Sequence, residues 1–225
     1  VIKNLRWAAP AVVLLVVPFT TSTPAQARDR SAPVYTVSLA AAVHALPVAA
    51  ESRDGYRRTS FKHWNAGQNP TDGCNTRAEV LISEAVDPPL ILPGCKLSGG
   101  RWWSYYDSKW ITSAAALDVD HMVPLAEAWD SGASQWTAQR REAYANDQDA
   151  PASLVAVSAA ANRSKADKDP AEWLPPTAEV LCRYLSEWVG TKLRWRLTAD
   201  AAELESLDDL AKACPSTAVT YQPAA

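Results

Sequence analysis

Asp120 and His121 stand side by side in the segment LDVDHMVPL, residues 117–125, and bring together two requirements of hydrolysis. A carboxylate offers hard oxygen to a cation, and an imidazole exchanges a proton near neutral pH. Leu117, Val119 and His121 alternate with Asp118, Asp120 and Met122, which is the period of a strand, and Pro124 removes a backbone donor. The strand is therefore expected to stop near the pair. Successive strand side chains point to opposite faces, so a shared site needs a bend at the strand end or a substrate atom between the two groups. Taken alone, an Asp-His dipeptide fits a surface histidine held by its neighbour better than a catalytic pair.

The elements around the pair decide what it can do. Residues 154–157, LVAV, read as a compact strand, and residues 159–165 as the start of a helix from which Asn162, Arg163 and Lys165 project. The excursion between the two strands carries short helices at 125–131 and 136–145, the second with Arg140 and Arg141, and a loop at 146–151. Upstream, residues 101–106 and 109–112 flank an Asp107-Ser108 turn and read as a hairpin. Trp102, Trp103, Tyr105, Tyr106 and Trp110 crowd it, as in a carbohydrate platform or in a core. Before it, residues 76–85 suit a helix with Thr76 as cap, Glu79 at the capping-box position and Arg77 in the first turn.

Residues 55–73 are loop-like and interleave Arg57, Arg58, Lys62 and His63 with Tyr56, Phe61 and Trp64. Cations among rings suit a nucleic-acid backbone, but a solvated loop whose rings pack on the core is the more frequent arrangement. Residues 37–46 form an Ala-rich amphipathic helix stopped by Pro47, where His44 has a packing position. Residues 177–197 and 199–213 make a helical hairpin with Trp188, Trp195, Leu181, Leu185 and Leu204 along its seam.

Lys3 and Arg6 precede an apolar run from Ala8 to Phe19, and Ala25-Gln26-Ala27 supplies the small residues a signal peptidase reads. Residues 1–27 are thus expected to be an export signal, and 28–225 one domain. The formal charge of −3 becomes −5 once Lys3 and Arg6 are removed. A protein that coats nucleic acid regardless of sequence carries the opposite sign, so any such contact is local. Four cysteines in an exported chain, with no Cys-x-x-Cys, predict two disulfides, a structural zinc site being second choice. Cys182 opens one expected helix and Cys214 closes the next, which antiparallel packing brings together. The expected pairs are Cys74 with Cys95 and Cys182 with Cys214.

The strings DVDHMVPLAEAW (118–129), AND (145–147), LVAVS (154–158), NRSKADKDP (162–170) and EWLP (172–175) resemble the HNH, or ββα-metal, endonucleases. The branch is the one with Asp-His in the first strand and Asn in the helix, related to the nuclease domain of GmrSD-like restriction enzymes. Tyr56, Phe61, Trp64, Cys74, Arg77 and the Gly-Arg-Trp of 100–102 extend the likeness over nearly the whole exported chain. The resemblance implies one divalent cation on Asp120 and Asn162, and His121 as general base. Two hard oxygen ligands suit Mg²⁺ or Mn²⁺ better than zinc. Arg163, Lys165, Arg57 and Arg77 are the candidate phosphate contacts, with Arg140 and Lys168 weaker. The family's asparagine before the second strand is Ser153 here, so the loop tether passes to Ser153 or to Asn146.

Together these readings give an α+β protein. Its ββα-metal (HNH, His-Me finger) core lies at about 115–170, with flanking helices and a disulfide-stapled helical hairpin at about 177–214. The expected function is a secreted, metal-dependent endonuclease acting on DNA, with RNA as a second substrate class. Asp118 is expected to face the loop and Glu127 to be an ordinary helix residue with an outside chance of supporting the site. The competing reading is an extracellular glycan-binding module built on the aromatic hairpin. A metallopeptidase is disfavoured, because only His44, His63 and His121 are present and no His-Glu-x-x-His occurs.

Overall fold

The computed structural model describes residues 32–225, which form one compact unit. The expected export signal lies outside the described residues. Among the described residues no helix is long and apolar enough to cross a membrane.

The chain enters through β1 (Tyr35–Ser38) and α1 (Leu39–His44), then crosses a long loop to α2 (Thr76–Ser83). Two hairpins follow, β2 (Leu90–Leu92) with β3 (Lys96–Ser98) and β4 (Trp102–Ser104) with β5 (Lys109–Ile111). Then come β6 (Leu117–His121), α3 (Leu125–Asp130), α4 (Ala138–Ala145), β7 (Leu154–Ser158) and α5 (Ala159–Lys165). The chain closes with α6 (Leu181–Trp195), α7 (Ala201–Ala211) and β8 (Ala218–Tyr221). The fold is α+β, and β8 returns to pair antiparallel with β1.

β6 and β7 pair antiparallel from Leu117↔Ser158 to His121↔Leu154. Directly opposite residues share a face, which separates two packing layers. Leu117, Val119, Leu154 and Ala156 meet Val80, Leu81 and Trp102 on one side, while Val155 and Val157 join the main core with Tyr184, Leu185 and Trp188 on the other. β7 is buried at all five positions because both of its faces are covered, and this explains the unbroken apolar run LVAV. Ser158 ends β7 and caps α5, its hydroxyl accepting from Ala161 N at 3.1 Å. Strand therefore becomes helix without a linker, and Asn162 arrives one turn later beside β6.

Several boundaries differ from the sequence reading. Residues 37–46 divide into strand and helix, because Ser38 caps α1. Asn75, not Thr76, caps α2, and Glu79 accepts from the backbone of Gln68 and Asn69 instead of closing a capping box. In the aromatic hairpin, Trp102, Tyr105 and Tyr106 are core, which leaves Trp103 and Trp110 as its exposed rings. A flat platform of five rings is therefore absent. Cys74 pairs with Cys95 and Cys182 with Cys214, with Cα separations of 5.0 and 5.5 Å. The second bridge joins the start of α6 to the segment after α7.

Candidate active site

A cavity of about 310 Å³ lies at the end of β6, lined by Arg58, Val119, Asp120, His121, Asn162, Arg163 and Asp167 among others. Asp120 and His121 occupy opposite faces of β6, as adjacent strand residues must. No bend within the strand unites them. Among the described residues β6 pairs only with β7, and both side chains line the cavity at the strand end all the same. Asn162 joins them from the first turns of α5.

The carboxylate of Asp120 is fixed from inside the protein. Its Oδ2 accepts from the Tyr106 hydroxyl at 2.7 Å and from the Lys165 ammonium, and its second oxygen has no partner among the described residues. Lys165 is fully buried and also donates to the carbonyls of His121 at 3.1 Å and Met122 at 2.8 Å, so all three of its N–H groups are engaged. Burial pushes the Asp120 carboxyl up and the Lys165 ammonium down, while their contact opposes both shifts. With every donor satisfied, the charged pair is the form this geometry suits.

His121 is buried with its ring stacked against Trp64 at 5.3 Å between centroids and roughly parallel to Tyr144. Trp64 takes a left-handed backbone (φ 59°), uncommon for a bulky residue, and that turn accompanies the stacked ring. Nε2 of His121 lies 3.0 Å from the Ala145 carbonyl. A carbonyl only accepts, so Nε2 carries the proton and Nδ1 keeps its lone pair. Burial, with Arg58, His63 and Lys165 nearby, lowers the imidazole to about 3, so the ring is neutral across ordinary pH.

Asn162 donates from Nδ2 to Asp118 Oδ2 at 3.1 Å, and Arg163 Nε stands 3.9 Å from the same oxygen. Asp118 therefore orients Asn162, where the sequence reading turned it toward the loop. The amide bond leaves Asn162 Oδ1 unengaged. The cavity thus offers a free carboxylate oxygen and a free amide oxygen, a donor set that fits a hard divalent cation.

The remaining candidates separate sharply. Arg163 is exposed at the cavity, while Arg57 is exposed without lining it; Arg58 lines it instead. Lys165 cannot grip a phosphate, because its ammonium is spent on Asp120 and two carbonyls. Arg77 turns inward and donates to the carbonyls of Ala114 and Leu117. Arg140 stacks on Trp136, and Lys168 bonds the Ser164 carbonyl. Ser153 donates to Asp147 at 2.7 Å, and Asp147 is held by Arg194 and Trp195 of α6. The loop before β7 is thus anchored to α6. Asn146 ties the segment of Lys62 and Asn65 to α2 and α4, not to β7. Tyr106, Asp118, Arg58 and Trp64 complete the site. Nothing in local spacing marks the first two, since their partners lie 14 and 44 residues away in the chain.

Carboxylates also gather elsewhere: among the described residues, Glu51, Glu127 and Asp130 converge, as do Glu51, Asp169 and Glu203. Neither group includes Asp120.

A family model described as GmrSD restriction endonucleases, C-terminal domain, matches residues 95–209, half of the chain. The match spans β6, β7, α5 and α6 and ends within α7, two residues before its last. An uncharacterized secreted protein of Arthroderma benhamiae is 36% identical over 162 residues, which covers 72% of this chain and 77% of that protein. No solved structure matches. With the matched segment centred on the Asp120, His121 and Asn162 cavity, the chain belongs to the family of GmrSD restriction endonuclease C-terminal domains.

Proposed function

We propose that the protein is a secreted, metal-dependent endonuclease of the ββα-metal (HNH) type that hydrolyses phosphodiester bonds in DNA, with RNA as a second substrate class. The observation that carries this reading is the cavity itself. It joins a neutral histidine with a free Nδ1 lone pair, two unengaged hard oxygens on Asp120 and Asn162, and the guanidinium groups of Arg58 and Arg163. Secretion rests on the export-like N-terminus and on the printed description of the Arthroderma relative.

In this mechanism His121 is the general base. Its Nε2 stays tied to Ala145, and Nδ1 takes a proton from the water that attacks phosphorus. Trp64 and Tyr144 hold the ring so that proton transfer needs no reorientation. Asp120 and Asn162 would hold one Mg²⁺ or Mn²⁺, whose charge offsets that building on the phosphoryl group and on the leaving 3′ oxygen. Lys165 and Tyr106 fix the Asp120 carboxylate, and Asp118 fixes the Asn162 amide. Arg58 and Arg163 attract the nucleic-acid backbone to a protein whose net charge is −5 once residues 1–27 are removed.

The test is nicking of supercoiled plasmid by the oxidised chain lacking residues 1–27, with Mg²⁺, Mn²⁺ or EDTA, beside His121→Ala and Asn162→Ala. Cleavage should need the metal and disappear in both variants. Asn162→Ala loses one half-buried hydrogen bond and should stay folded. His121→Ala opens a cavity beneath Trp64, so its circular dichroism is recorded first. Cleavage that persists in EDTA, or in folded Asn162→Ala, refutes the mechanism.

A further inference from the structure

Glu51 lies in the loop after α1, and one oxygen each of Glu51, Glu127 and Asp130 fall within 4.8 Å of one another. None of these three residues lines the cavity at Asp120. Glu127 and Asp130 belong to α3, and both are buried. An acidic cluster alone can be a solvated surface, but this one has an orphan inside it. Asp130 Oδ2 accepts from Arg53 Nε at 2.6 Å, while its Oδ1 is buried with no hydrogen-bond partner, on a side chain only 4% exposed. A buried oxygen without a donor is destabilising, so it points to a group that completes the site.

Glu127 has the same asymmetry. Its Oε1 accepts from Ser131 at 2.8 Å and from Lys192 at 2.9 Å, and its Oε2 has no partner. Among the described residues, neither oxygen of Glu51 has a hydrogen-bond partner. Glu203 and Asp169 adjoin the cluster through Glu51, which makes five carboxylates faced by two cations, Lys192 and Arg53. Both oxygens of Glu203 are already engaged, by Trp188 and by Lys192, so the site centres on the other triad.

We propose that Glu51, Glu127 and Asp130 form a structural binding site for a divalent hard cation, calcium by its tolerance of irregular oxygen cages, distinct from the Asp120–Asn162 pair. One oxygen of each carboxylate lies within 4.8 Å of the others, a spacing that one calcium ion bridges, the buried Asp130 Oδ1 lacks a donor, and carboxylates outnumber the cations that face them. A bound ion would clamp the loop after α1 onto α3, the helix that begins four residues beyond His121. Arg53 extends this link, since it also reaches Asp167 at the cavity. The inference does not depend on nuclease chemistry.

The test uses CaCl2 alone on the EDTA-stripped chain lacking residues 1–27, read by thermal denaturation and by calorimetric titration. Glu51→Gln removes the negative charge and one of the two ligand oxygens at an exposed position without losing a protein hydrogen bond, so it should fold and have an unchanged or higher melting temperature without metal. At ~10 mM Ca²⁺, well above the ~0.1–1 mM range of weak calcium sites, the wild type should gain about 5 °C or more. Asn162→Ala should show the same gain and Glu51→Gln a gain of less than half of it. A wild type that does not respond, a Glu51→Gln variant that gains half as much or more, or a response lost in Asn162→Ala each overturns the proposal.

Discussion

Lys165→Met tests whether the buried ion pair, and not local strand structure, holds the end of β6. Methionine matches the length and apolar stem of lysine and removes only the ammonium, which is fully buried and touches Asp120, the His121 carbonyl and the Met122 carbonyl. Its loss leaves the Asp120 carboxylate with Tyr106 as its one remaining donor in a desolvated position. Removing one member of a buried pair costs ~3–5 kcal/mol, because the other charge stays behind. For a domain of this size that is a fall of about 10 °C in melting temperature. The assay is urea unfolding at neutral pH of four proteins: wild type, Lys165→Met, Asp120→Asn and the double variant. The double variant leaves no unpaired charge, so its cost should fall short of the summed single costs by ~2 kcal/mol or more. Stability is the proper readout, since Asp120 is also a candidate cation ligand. A Lys165→Met cost under ~1 kcal/mol, or simple additivity in the cycle, would refute the argument that Asp120 is locked from below.

Burial pushes the Glu84 carboxyl, which accepts from Ala156 N at 2.9 Å, up to about 7 from 4.5. Between those values the folded protein holds a proton that the unfolded chain has released, so stability is full below about 4.5 and falls as pH rises through about 7. The loss is on the order of 3 kcal/mol, and Glu84→Gln should flatten it in urea unfolding followed against pH. Removing the Cys182–Cys214 bridge by paired serine substitution opens a loop of 32 residues and should cost ~3–4 kcal/mol in chemical denaturation. Ser153→Ala takes one of several donors from Asp147, which keeps Arg194 and Trp195, so unfolding should register only ~1 kcal/mol while hydrogen exchange before β7 quickens.

The sequence by itself settled what is local. The strand at Asp120-His121, the apolar strand LVAV and the helix that follows are short segments whose period and punctuation are visible in consecutive residues. Residue chemistry likewise put Asp120 and His121 forward, since a hard oxygen and an imidazole limit what a site can do, while Asn162 was named through the family resemblance. Tertiary structure decided which surface each polar side chain meets. Lys165 and Arg163 are two residues apart on one short helix, yet one is buried against Asp120 and the other faces the cavity. A helix turns about 100° per residue, and only the neighbouring elements determine which direction is inward. Tyr106, Asp118 and Trp64 were equally illegible, because what each does depends on a residue 14, 44 or 57 positions away. The convergence of Glu51 with Glu127 and Asp130 belongs to the same class: three separate positions in the chain become one site only when the loop after α1 folds over α3.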